Sequence, residues 1–176
     1  GPTYEDKAGR RGVRIGDLLN PETLRTRLEY AVPLKRRTVE SFGLDPDADR
    51  YDGAFDLEAL YEQYRALGER LAEEEMAVNC GDFLAERHGA GDRIRFEGAQ
   101  GTSLDIDHGS YPYVTSSNPT AGAAAVGSGL GPTVVGQGEV VGIVKAYTSR
   151  VGTGPLPTEL GFVEGQTPAD GGDTSE

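Results

Sequence analysis

The sequence has one cysteine, three lysines and no long apolar run, and each shortage closes off a class of function. Cys80 alone allows no intramolecular disulfide, which fits a reducing compartment. Nothing near it in sequence would lower its thiol pKa, so a nucleophilic role is not favoured. No stretch approaches the roughly 18 apolar residues of a membrane span, and no charged-then-apolar leader is visible. A soluble, unexported, cytoplasmic protein without a membrane partner is expected. Lys7, Lys35 and Lys145 are the only lysines among 17 basic residues, which face 29 acidic ones for a formal charge of −12. So acidic a surface disfavours nucleic acid as a partner, because nonspecific binding needs cations against phosphates. It suits a protein kept soluble in concentrated salt, where self-repulsion is screened. A halophilic source is expected, with an ordinary acidic bacterial protein as the alternative. No phosphate-loop string of the form GxxxxGK[ST] occurs, and no internal repeat is visible. Apolar residues reach only 36%, yet 176 residues suffice for one domain with a core. The chain opens on Gly1 with no lead-in, which suggests a fragment.

What the chain does have is one dense polar stretch, from Arg95 to Gly122. Glu97 is followed by Gln100 between Gly98 and Gly101, then Thr102, Asp105, Asp107, His108, Thr115, Ser116, Ser117 and Asn118. Glycines let backbone approach a ligand closely, and functional loops collect such residues. A plain surface loop is the alternative, but it has no need of so many neutral donors and acceptors. Gln100 stands out, since an amide offers a donor and an acceptor together, as a purine edge requires. Asp105, Asp107 and His108 look like a catalytic set. The carboxylates can equally brace the loop through backbone N–H groups, and His108 can be structural.

The remaining pattern alternates helices with strand candidates, the signature of an α/β fold. Asn20 and Pro21 predict a helix start, with Leu24, Leu28 and Val32 on one face and a kink or break at Pro33. Residues 56–78 form the clearest helix, capped by Asp56, with Phe55 and Leu60 placed for a hydrophobic staple. Tyr61 and Tyr64 are expected in its core face, and Glu73, Glu74 and Glu75 on a solvated face. A shorter helix is predicted from Cys80 to Arg87, closed by Gly89. Residues 93–97 and 139–147 read as strands, the second buried by its run of Val and Ile. A glycine-rich loop after a strand is where open α/β sheets place ligands. Residues 119–133 are either a flexible linker or a packed helix start with a glycine loop. Residues 161–176 are polar and Gly-rich and read as disordered. Near the start, Lys7, Arg10, Arg11 and Arg14 reverse the sign of the chain. They are either salt-bridge partners or an anion site, since guanidinium forks grip phosphate.

The run FEGAQGTSLDIDHGSYPYVTSSN resembles the central active-site segment of the adenylosuccinate synthetases, enzymes that join IMP to aspartate at the expense of GTP. Pro2-x-Tyr4-x-x-Lys7-x-x-Arg10 is similar to a signature of the same family. So are the TAG–GSGLGP passage and KAYxxRVGxGPxPTEL, which carries the likeness to Leu160. The resemblance implies a partial P-loop-NTPase-like sheet with flanking helices and a helical subdomain. Residues 1–160 would be the central part of the enzyme domain, with a helical region about 17–90 and the active-site loop and strands about 93–160. It implies that Gln100 contacts the IMP base near the reacting oxygen, that Thr115 binds IMP through its hydroxyl, and that Leu104 packs near the base. Lys7 would be the signature lysine near the active site. Arg10 would reach across a homodimer interface to the IMP 5′-phosphate in the partner subunit.

Family activity also implies GTP and Mg2+. The family's phosphate loop, similar to GDEGKGK, is missing from this sequence, as are its arginine-rich aspartate loop and its guanine-recognition segment. No metal ligand is therefore assigned in this chain. Arg93 and Arg95 depart from the more apolar run that usually precedes FEG. On these grounds catalysis by this chain alone is not expected. A truncated nucleotide-binding or dimerising module is the alternative reading.

Overall fold

The structure is a computed structural model that describes residues 1–152 and 154–156. The tail 161–176, and the family likeness from residue 157 to Leu160, lie outside the described residues. The chain forms two compact units, Gly1–Asn79 and a second from Cys80 onward.

The first unit is helical: α1 (Pro2–Ala8), α2 (Ile15–Leu18), α3 (Pro21–Ser41), a 3-10 turn (Asp49–Tyr51) and α4 (Leu57–Glu73). Local chemistry sets the starts. Asn20 accepts a hydrogen bond from the Thr23 amide at 2.9 Å, and Asp56 accepts from the Glu58 and Ala59 amides at 2.9 and 3.0 Å. Leu24, Leu28 and Val32 of α3 are buried as their spacing predicts, with Leu18 of α2. Val13, Leu57, Leu60, Tyr61, Leu67 and Leu71 close over them. Of the kink or break expected at Pro33, the break does not occur, and α3 runs through it. Proline removes only the bond to the carbonyl four residues back. The buried side chains before it hold the helix on the core. Tyr61 packs against the core under the Arg25 guanidinium, 4.0 Å from the ring centroid. Tyr64 instead is exposed, because its position lies past the edge of the buried stripe. The ring of Phe55 meets Tyr51 edge-on, at 5.4 Å between centroids.

Gly68 is the one fully buried residue of α4. A Cβ there would collide with the Leu18 carbonyl oxygen and lie 2.7 Å from its carbon. Backbone meets backbone at this point, so α2 and α4 approach only because position 68 carries no side chain. Gly68→Ala is expected to destabilise this unit by about 1–3 kcal/mol despite alanine's better helix propensity. A chemical denaturation curve with an unchanged midpoint would show that the approach is looser than described.

Three helices of this unit end in the same hydrogen-bonded cap, in which a left-handed residue lets two amides turn back onto the last free carbonyls. Gly43 (φ 70°) closes α3, with the Leu44 amide on the Val39 carbonyl at 3.3 Å. Glu75 (φ 52°) closes α4, with the Met76 amide on Leu71 at 3.0 Å. Arg10 (φ 59°) closes α1, with the Arg11 amide on Asp6 at 2.8 Å.

The second unit holds α5 (Cys80–Gly89), α6 (Ala123–Ser128) and α7 (Pro132–Val135), with a 3-10 turn at Thr102–Leu104 in the long loop between them. α5 takes in Gly89 as its last residue, and the left-handed turn comes two positions later. Gly91 (φ 91°) supplies the left-handed cap, and the Asp92 amide reaches the Arg87 carbonyl at 3.0 Å. Residues 119–133 are the packed helix and glycine loop, not a linker. Gly129 closes α6 at φ 81°, and a Cβ on it would lie 3.2 Å from the Gly81 Cα of α5.

Among the described residues no strand forms, and the two strand expectations fail here. A helix satisfies its own backbone, but a strand's amides and carbonyls need a neighbouring strand. Residues 93–97 and 139–147 do not pair with each other. Val140, Val141, Ile143 and Val144 are 73–94% exposed, the reverse of the burial expected for that run.

Candidate functional site

The loop of the second unit is folded on itself by backbone bonds between its two limbs. The Thr115 amide donates to the Leu104 carbonyl at 2.8 Å, and the Ile106 amide to the Ser117 carbonyl at 3.2 Å. The Ser110 amide reaches back to Ser103 at 3.1 Å. This register brings residues 104 and 115 side by side. Gly109 sits inside the fold of the loop, where a Cβ would collide with the Ser103 and Asp105 carbonyl oxygens.

Asp105 is the hub. It is fully buried, and its Oδ1 accepts from the Asp107 amide (2.9 Å), the His108 amide (3.1 Å) and the Asn118 side-chain amide (3.0 Å). Burial pushes its carboxyl upward. The Asp107, His108 and Thr120 amides and the Asn118 side chain together outweigh that and hold it below the usual carboxylate range. Asn118 also donates to Asp107 Oδ2 at 2.6 Å. Asp105 is thus the loop brace, as one of the two sequence readings has it. The His108 side chain is exposed and stands outside this network.

Depression of the Asp105 carboxyl fixes a sign. Its stabilising effect is in full force above the ordinary carboxylate range and is lost as pH falls through the lowered folded value. Amide exchange over residues 103–118 is therefore expected to accelerate on acidification, beyond its intrinsic pH dependence. Asp105→Asn, which sets an NH2 or a weaker acceptor against three donors, is expected to open the loop at neutral pH and flatten that acid response. A loop equally protected in the Asn variant would make the brace dispensable.

Gln100, Leu104 and Thr115, three of the residues expected at the IMP site, line one open cavity of about 410 Å³ with Tyr113, Arg150 and Val151. Gln100 Nε2 donates to Thr115 Oγ1 at 3.3 Å. The Gln100 carbonyl oxygen and one N–H, and the Thr115 hydroxyl proton, remain available to a ligand. Such a set reads a flat heterocycle edge through paired donor and acceptor. Leu104 and Val151 supply apolar contact beside it.

Lys7 and Arg10 lie in the first unit. Lys7 is in the last turn of α1, and both side chains are exposed and make no ion pair among the described residues. Their neighbour Arg11 instead pairs with Glu5 at 3.3 Å, and Lys35 with Asp6 at 2.7 Å. The basic cluster therefore divides: Arg11 is a salt-bridge partner, while Lys7 and Arg10 keep uncompensated charge. Sequence reasoning gave Arg150 no role, although it stands in the cavity wall. Its position three residues past the apolar run 139–147, within the family-like KAYxxRVG string, was the available signal. Among the described residues no group of three or more His, Cys, Asp or Glu is placed to hold a metal ion. No helix of the described residues is long and apolar enough to cross a membrane.

The family model for adenylosuccinate synthetase matches residues 1–174. The chain is 73% identical over 181 aligned positions to the adenylosuccinate synthetase of Natronomonas pharaonis, covering 100% of this chain and 39% of that protein. Against the enzyme of Halobacterium salinarum the identity is 66% over 161 positions, covering 91% and 36%. Both relatives are halophilic, which fits the acidic composition. The fully ligated adenylosuccinate synthetase from Plasmodium falciparum superposes with a TM-score of 0.74 at 32% identity, over 92% of this chain and 34% of that one. The chain thus spans less than two fifths of the length of the relatives it matches.

Proposed function

We propose that this chain, which belongs to the adenylosuccinate synthetase family, supplies part of the IMP site of a GTP-dependent ligase that joins IMP and L-aspartate into adenylosuccinate. The observation that carries the reading is the convergence of Gln100, Leu104 and Thr115 on one cavity, with Thr115 orienting the Gln100 amide. In the family reaction GTP phosphorylates the 6-oxygen of IMP, and the aspartate amine then displaces that phosphate. On this reading Gln100 holds the purine edge as charge develops at the 6-oxygen, Thr115 binds through its hydroxyl, and Leu104 packs on the base.

Arg10 is read as the IMP 5′-phosphate contact across a homodimer, and Lys7 as the signature lysine beside the active site. Support for Arg10 is that its side chain is exposed and makes no ion pair among the described residues, which leaves the guanidinium open to an anion.

GTP and Mg2+ are the cofactors the family reaction requires. The described residues offer no metal cluster and the sequence no phosphate loop, so no step through either is assigned to these residues. In a protein of the relatives' length, segments 93–97 and 139–147 would join neighbouring strands to complete a P-loop-NTPase-like sheet, and the exposed Val and Ile of the second would be covered. A cytoplasmic location goes with this reading.

Titration calorimetry of the native polypeptide with IMP tests the site. Saturable binding at one IMP per chain is expected, and no heat at millimolar IMP would overturn the assignment. The share of the relatives' length that the chain spans also favours a second reading, a nucleotide-binding or dimerising module without catalysis. Adenylosuccinate formation from IMP, aspartate and GTP separates the two.

A further inference from the structure

We propose that Arg150 is a positioning residue that ties the two rims of the Gln100–Thr115 cavity together and so sets its width. The inference rests on the reading of that cavity as the IMP site. Arg150 Nη2 donates to the Tyr113 carbonyl at 3.0 Å, and Nη1 to the Pro155 carbonyl at 3.2 Å. One guanidinium thereby joins the 112–115 limb to the segment that carries Val151 and Gly152, and all of these line the cavity. Its carbon lies 6.0 Å from the Tyr113 ring centroid, and its Nε is buried with no hydrogen-bond partner among the described residues.

The choice of partners is informative. Arg25 and Arg36 in the first unit each fork onto a carboxylate, Glu58 and Asp47. Arg150 makes no ion pair among the described residues, in a chain with 29 acidic ones. It is half-buried, and both its bonds go to carbonyls. A planar fork reaches two separate carbonyls in fixed directions, which a lysine ammonium does not reproduce. Gly154 makes room for it. Its φ is 138°, and a Cβ there would fall 2.5 Å from Arg150 Cζ and 2.7 Å from Tyr113 Cβ. Arg150 and Gly154 on one segment and Tyr113 on the other therefore depend on one close contact, and Val151 and Gly152 are held in the cavity wall by it.

The test uses the native polypeptide with Arg150→Met, Arg150→Lys and Gly154→Ala, read by amide hydrogen exchange without ligand and by IMP titration. Arg150→Met and Gly154→Ala are expected to accelerate exchange at residues 113–115 and 150–152 by about tenfold or more, and to weaken IMP binding by a similar factor. Exchange in α3 and α4 should stay as in wild type. Arg150→Lys should fall between wild type and the Met variant. Unchanged local exchange in both disruptive variants would overturn the inference. So would a Lys variant equal to wild type, which would mean that charge alone matters. Faster exchange throughout the chain would reduce Arg150 to a general stabiliser and overturn it too. A wild type that binds no IMP, with the exchange result as expected, would overturn the parent reading alone.

Discussion

Replacing Gln100 with alanine is expected to lower adenylosuccinate formation by about 100- to 1000-fold while leaving the fold in place. The size follows from what one preorganised donor is worth where charge develops in a transition state. Preservation of the fold follows from the surroundings of Gln100. It is exposed, and its recorded side-chain bond is a single long one to Thr115. Nothing in the core depends on it. On the proposed reading Gln100→Glu should be worse than alanine for turnover, because a carboxylate would then stand beside the purine 6-oxygen and oppose the charge forming there. The measurement is kcat with saturating GTP and aspartate, on the native polypeptide with any further segments it carries, beside a thermal melt of each variant. Turnover within a few-fold of wild type would remove Gln100 from the mechanism. A collapsed melt would move it from chemistry to loop structure.

The features legible in the sequence were those settled over a few residues. Asn20 and Asp56 cap the helices that they were expected to cap, because an N-cap is a bond between a side chain and an amide two or three positions on. The chemistry of the loop was legible for a similar reason: its unusual residues are consecutive, and the family resemblance rests on that run. What failed was non-local. Pro33 was read as a kink or a break, and of these the break does not occur, because the packing of Leu28 and Val32 keeps α3 continuous. Gly68 gave no signal, since its importance is the Leu18 carbonyl fifty residues earlier. Residues 139–147 carry a strand's composition, yet a strand exists only with a partner, and among the described residues there is none. Arg150 was placed just past a strand candidate and within a family-like string but given no role, because its role rests on a distant contact. Its carbonyl partner at Tyr113 is 37 positions away.

Arg10 offers a test in which stability and function move in opposite directions. Arg10→Gly removes a side chain from a left-handed position, and after the entropy of an added glycine it should stabilise α1 by about 0.5–1 kcal/mol. On the proposed reading the same change, like Arg10→Leu, deletes a charge-assisted phosphate contact and raises the IMP requirement by about 10- to 100-fold. A structural arginine would not separate the two effects.

The claim that Arg10 serves the neighbouring subunit can be tested further by mixing. In a hybrid dimer of an Arg10→Leu subunit and a Gln100→Ala subunit, action in trans leaves one site with both groups intact and the other with neither. Random reassociation of equal amounts makes about half of the dimers hybrid, so about a quarter of the sites should recover. If Arg10 acts within its own subunit, each site of every hybrid lacks one group and mixing restores nothing. Recovery near a quarter would establish both the homodimer and the shared site. No recovery, with hybrids confirmed by native mass spectrometry, would confine Arg10 to its own chain.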